Sequence, residues 1–172
     1  GHGFRRFVVI HSDLFEVGGS ARDPEALRFI ISHEVGHLAA GHVSFWRLLV
    51  SQAASSVPLL GKALSRAQEY TADNHGYDVS PTGVPGVVGL LGAGKYLGAQ
   101  VGLHATADRA AHERGFWVHI VQWTSTHPIL TWRAHALRDR SRPGRLMMRP
   151  KTAWYPPVSP AGGVGSEAWP TP

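Results

Sequence analysis

The chain has 172 residues, with 17 Lys plus Arg against 12 Asp plus Glu, 11 His, no Cys and 43% hydrophobic residues. One domain of this size buries enough surface to fold without covalent staples, and the missing thiols exclude a disulfide scaffold, a Cys-ligated zinc ribbon, an iron–sulfur protein and a thiol enzyme. The net charge of +5 is local: residues 1–132 carry ten basic and ten acidic side chains, while Arg133 to Lys151 holds seven bases against Asp139, which reads as a solvated basic extension rather than a nucleic-acid surface.

In chain order, Phe7-Val8-Val9-Ile10-His11 is β-branched and aromatic and predicts a strand. Asp23-Pro24-Glu25 supplies an N-cap, a proline at the first helical position and an acid in the first turn. The helix it opens runs through the apolar positions Leu27, Ile30, Ile31, Val35 and Leu38 and is expected to reach about His42 or beyond. Leu48 to Gly61, interrupted by Ser51, Gln52, Ser55, Ser56 and Pro58, predicts a buried helix followed by a loop, and no run reaches the length of a membrane span. Further helices are expected from Lys62 to His75 with Gly76 as terminator, over part of Val87 to Val101, from Ala107 through Trp123, and from Ile129 to Arg140 behind Pro128. From Pro143 the chain turns basic and then Pro/Gly-rich, which predicts a poorly packed tail over 143–172 and a domain over 1–142. The start at Gly1 rather than Met suggests a piece of a longer chain, whose flanks would have to supply any membrane anchor.

The chemistry concentrates in His33-Glu34-Val35-Gly36-His37. Four helical residues bring His37 to within about 40° of His33, so both imidazoles leave one face a turn apart, as two ligands of one metal must. Glu34 stands beside them, placed to deprotonate a water on that metal. A metzincin extension needs Gly at position 40 and His at 43, but Ala40 and Val43 stand there, and His42 is rotated off the ligand face. The remaining route to a third ligand is a glutamate from a second helix. Glu69 can complete a His₂Glu zinc site with one position left to water, and Asp73, four residues on, is then placed to accept the second ring N–H of a ligand histidine; the alternative is an exposed helical acid pair with Arg66 nearby.

Arg28-Phe29-Ile30-Ile31-Ser32 leading into His33-Glu34-Val35-Gly36-His37, then Ser65-Arg66 through Glu69 to Asp73, then Ser125-Thr126-His127-Pro128 with Arg133, resembles the M48 family of zinc metallopeptidases, the group of HtpX-like and CAAX prenyl proteases. The resemblance spans about residues 7 to 138. It implies an α+β, mostly helical gluzincin domain with a small β-sheet and one zinc ion, which hydrolyses peptide bonds in a polypeptide substrate. Within that pattern His127 is assigned to the substrate side of the metal and Arg133 to the same catalytic cluster. The Asn-Ala pair common in the family before the first strand is not contained in this chain. The transmembrane hairpin that membrane members place between the histidine motif and the glutamate has no counterpart either, since that gap is short and polar. A substrate strand is expected to pair with the Phe7–Ile10 edge. The basic extension suggests the cytoplasmic face of a bacterial membrane, or the cytoplasm.

Other signals point away from a site. Gly89 to Lys95 matches a phosphate-binding loop but is followed by Tyr96, which offers no short hydroxyl for magnesium, and reads as a glycine-rich helix or loop. Trp117, Trp123 and Trp132 read as core or cleft-wall aromatics, and His104, His112, His119 and His135 show no ligand spacing. Two rival readings remain: a catalytically silent zinc-binding interaction domain, and a nucleic-acid binder using the basic extension.

Overall fold

A computed structural model describes residues 23–41, 50, 53–54, 56–57, 59–141 and 143–150. These residues form six α-helices and two short 3₁₀ turns: α1 (Pro24–Ala39), α2 (Leu60–Val79), a 3₁₀ turn (Pro81–Gly83), α3 (Val84–Leu97), a second 3₁₀ turn (Gly98–Gln100), α4 (Leu103–His112), α5 (Phe116–Thr124) and α6 (Leu130–Arg138). No strand occurs among the described residues, and the Phe7–Ile10 segment expected to form the small sheet lies outside them. No described helix is long and apolar enough to cross a membrane.

The start of α1 follows the sequence signals. Asp23 Oδ1 accepts the Ala26 N–H at 2.9 Å, Pro24 occupies the first turn and Glu25 places an acid there. The helix stops at Ala39, short of the expected His42, as the chain passes through Gly41 at φ 68°. Its buried stripe is also not the one that hydrophobicity suggested. Ala26, Phe29, Ser32, His33 and Gly36 are buried, while Val35 is exposed and Leu27, Ile30, Ile31 and Leu38 are only half-buried.

The reason lies in how α1 meets α2. The two helices run antiparallel and touch at intervals of about one turn. The Ser80 hydroxyl, just past the end of α2, bonds Glu25, the ring of Phe29 lies against Gly76, His33 faces Asp73, and His37 faces Glu69. Between the last two rungs, Gly36 lets the backbones close: a methyl there would sit 2.8 Å from His75 Cβ and 3.2 Å from Ala72 Cα. Gly76 is therefore an interior helical residue that makes room for Phe29, and α2 continues past the expected stop to Val79.

The apolar core sits at the Glu25 end of the ladder. Ala26 and Phe29 of α1 meet Val84, Val87 and Val88 of α3, Ala107 of α4, and Ala134 and Leu137 of α6. The helix expected from Ala107 through Trp123 is two helices, because Gly115 takes φ 136°, a conformation side chains strongly disfavour, and α5 starts afresh at Phe116. The Gly89–Lys95 stretch lies inside α3, which kinks at Gly94. Much of the expected buried segment from Leu48 to Gly61 is outside the described residues, and Val50, Val57, Leu59 and Leu60 within it are exposed. Residues 143–150 depart from the expected loose tail. They lie along α2 and α5, held by hydrogen bonds from Arg66, Tyr70, Gln122 and Trp123, and Arg149 bonds the Ala111 carbonyl at the end of α4.

Candidate metal centre

Past the core, the ladder ends in polar side chains. The donors of His33, His37 and Glu69 all lie within 4.8 Å of one another, the one such group among the described residues. His37 Nε2 is 3.4 Å from Glu69 Oε1, and His33 Nε2 is 3.7 Å from Glu69 Oε2. Ligands bound at zinc distances in a tetrahedron are separated by about 3.3 Å, so these atoms stand close to ligand spacing, and two imidazoles with one carboxylate are a borderline-soft donor set suited to zinc. The residues present thus fit a divalent ion with three protein ligands and an open place.

Behind this trio, Asp73 is buried, and its Oδ1 lies 2.9 Å from His33 Nδ1, at hydrogen-bonding distance though short of hydrogen-bonding alignment. Arg133, from α6, donates from Nε to Asp73 Oδ2 at 2.8 Å and from Nη2 to Asp73 Oδ1, and its Nη1 lies 3.7 Å from Glu69 Oε2. The guanidinium thus spans both carboxylates of α2. Burial pushes the Asp73 carboxyl up, but His33 and the Arg133 fork outweigh it and hold the acid below its usual range. Burial likewise acts against Glu69, and His37, Arg133, His127 and His33 together bring it below the ordinary carboxylate value. The Glu69 contact, opposed by burial, raises His37 above the usual histidine range, helped by the charges of Glu34 and Asp73.

The opposite side is open. Glu34 is exposed, one residue from His33 and close enough for its charge to be felt at His37. His127, on the turn between α5 and α6, brings Nε2 to 3.5 Å from Glu69 Oε1 with two-thirds of its side chain exposed, and the Thr126 hydroxyl lies 3.0 Å from its Nδ1. All six residues singled out as site residues by the sequence, with Asp73 behind them, therefore gather at one place. His104, His112, His119 and His135 stay outside the group, and His42 lies outside the described residues. Of the tryptophans, Trp132 is buried in the core and Trp123 is half-buried, but Trp117 is 75% exposed, its ring meeting that of Phe116.

Several residues around the site were given no role by the sequence, although Arg66 stands within the stretch that carries the resemblance. His75 Nδ1 lies 2.9 Å from the Ser32 carbonyl and ties α2 to α1 beside the ligands. Arg66, three residues before Glu69 and on its side of the helix, is fully buried and reaches the Ser125 carbonyl at 2.7 Å. Gln122 is also fully buried, and its presence as a lone amide in the apolar run of α5 was the available hint.

A family model described as Peptidase family M48 matches residues 1–54 and 44–141. No curated protein and no solved structure matches the chain.

Proposed function

This chain belongs to peptidase family M48 and is a metallopeptidase, and from that premise we propose that His33, His37 and Glu69 hold one zinc ion while Glu34 acts as general base in the hydrolysis of peptide bonds in polypeptides. The observation that carries the reading is the convergence of two imidazole nitrogens and a carboxylate from two helices within 4.8 Å. A zinc ion held by His33, His37 and Glu69 would supply Lewis acidity toward a substrate carbonyl and would make an attacking water more acidic.

The protein's own residues divide the remaining work. Glu34, exposed beside the ligands, takes the proton of the attacking water and passes it to the departing amine. His127, on the open side, donates to the carbonyl oxygen as negative charge builds on it, a contribution that a preorganised donor makes without moving. Asp73 holds the His33 ring so that Nε2 faces the metal. Arg133 was expected among the catalytic residues. Its donors are turned onto Asp73 and Glu69, which supports a positioning role in aiming the carboxylates.

Metal analysis together with proteolysis of an unfolded casein-type substrate tests this reading on wild type, Glu34→Gln and Glu69→Ala. Glu34→Gln is expected to keep its zinc and lose turnover by about 10²- to 10⁴-fold. Glu69→Ala is expected to lose metal affinity. Retained proteolysis in Glu34→Gln overturns the general-base assignment, and zinc binding by a wild type that cleaves no unfolded polypeptide favours the silent interaction domain.

A further inference from the structure

The turn that carries His127 is short, irregular and exposed at its tip, yet both of its ends are tied to buried side chains. On the entering side, Arg66 Nη1 donates to the Ser125 carbonyl at 2.7 Å and to the Trp123 carbonyl at 3.3 Å. On the leaving side, the Ile129 N–H donates to Gln122 Oε1 at 2.9 Å. Both side chains are fully buried, and each has a second set of bonds to residues 145–147. Arg66 Nε donates to the Leu146 carbonyl at 3.0 Å and its Nη2 lies 3.4 Å from Met147 Sδ, while Gln122 Nε2 donates to the Leu146 carbonyl at 3.3 Å and the Arg145 carbonyl at 3.4 Å.

Two neighbouring side chains tighten the same segment. The Tyr70 hydroxyl, one residue after Glu69, donates to the Arg145 carbonyl at 3.1 Å, and Trp123 Nε1 donates to the Met147 carbonyl at 2.8 Å. Three consecutive carbonyls of the segment are thereby taken up by side chains of α2 and α5. A buried guanidinium needs its donors filled, and removing one set of acceptors frees it to swing and release the others.

We propose that residues 144–147 form a strap that fixes the His127 turn, with Arg66 and Gln122 as the positioning residues that couple the two. The inference rests on the role given to His127 above. It assigns to a segment beyond the helical domain a direct influence on hydrolysis: with the strap in place the imidazole is held over Glu69, and with the strap displaced it samples other positions. A catalytic group displaced by about 1 Å costs up to about a hundred-fold in rate.

The strap can be shifted without touching any catalytic residue. Gly144 lies on the Tyr70 ring, and a methyl at its Cα would overlap ring carbons, so Gly144→Ala moves the strap or the ring. Gln122→Met keeps the side-chain length and removes the bonds to both the turn and the strap. The full chain carrying each substitution, alone and combined with His127→Ala, is assayed for zinc content, kcat and KM. Zinc stoichiometry is expected to stay at the wild-type value in all of them. Gly144→Ala and Gln122→Met should each lower kcat about tenfold or more with KM nearly unchanged, and neither should lower it further once His127 is alanine, because non-additivity marks residues acting through one another. A loss that multiplies with the His127→Ala loss overturns the strap coupling and leaves the His127 role intact. A fully active His127→Ala overturns that role, and the coupling with it. Because Gly144→Ala leaves Arg66 and Gln122 in place, a failure of Gln122→Met to fold leaves the test standing.

Discussion

The two walls of the metal centre handle water differently. On one wall the His33, Asp73 and Arg133 side chains are 10%, 2% and 12% exposed, and they meet one another through short polar contacts. On the other, His127 keeps 67% of its side chain in solvent and Glu34 is exposed. The buried wall uses its charges to aim the ligands, whereas the open wall leaves its polar atoms available for a substrate. If that contrast holds, damage to the first wall should appear mainly as lost stability and damage to the second mainly as lost turnover.

The largest effect is expected at Arg133. Replacing it by Met strands Asp73 as a buried carboxylate, and breaking a buried pair from one side costs about 3–5 kcal/mol, readable in urea unfolding. A change below about 1 kcal/mol would erase the distinction between the walls. His127→Ala should behave in the opposite way: stability within about 0.5 kcal/mol of wild type, with turnover down about 10²- to 10³-fold, as for loss of an oxyanion donor.

Gly36 sharpens the comparison from between the ligands. Gly36→Ala must push α1 away from Ala72 and His75, an overpacking that costs about 1–3 kcal/mol, and the same shift should loosen zinc because His33 and His37 move relative to Glu69. A variant of unchanged melting temperature and metal affinity would show that the backbone contact is slack. The smallest effect concerns pH in the metal-free protein. Asp73 titrates lower when folded, so its contribution is present above the ordinary carboxylate value of about 3.9 and fades as pH falls through its folded value. His37 titrates higher when folded, so its contribution is complete below about 6.5 and fades as pH rises through its folded value. Urea midpoints measured in chelator should therefore fall at the acid end through Asp73 and decline as pH rises past the folded His37 value, with Arg133→Met starting its acid fall at higher pH than wild type.

The candidate ligands were legible as a cluster because helical periodicity places them: His33 with His37 and Glu69 with Asp73 each repeat at four residues, so spacing alone put each pair on one face. The start of α1 was legible because Asp23 and Pro24 act locally. The buried stripe of α1 was not, because that helix packs through Ala26 and Gly36 against a close neighbour, and small residues contribute nothing to a hydrophobic pattern. The break at Gly115 was lost in a run that otherwise looks helical on both sides. The strap escaped notice for a different reason: its bonds run through main-chain carbonyls, which any residue offers, so Arg145 and Leu146 bear no mark of what holds them. Arg133 was expected near these residues and meets Asp73 and Glu69, yet those partners depend on how α6 lies over α2, which no local pattern states.

The turn-by-turn meeting of α1 and α2 also constrains chain length. Adding or deleting one residue between Phe29 and His33 would rotate everything beyond it by about 100°, carrying both imidazoles away from Glu69 while Phe29 stayed against Gly76. No change of side chain elsewhere restores a phase error of that kind. The count of residues along these two helices is therefore inherited with the ligands themselves, and a relative that keeps both histidines but differs in that count must pair its helices in another way.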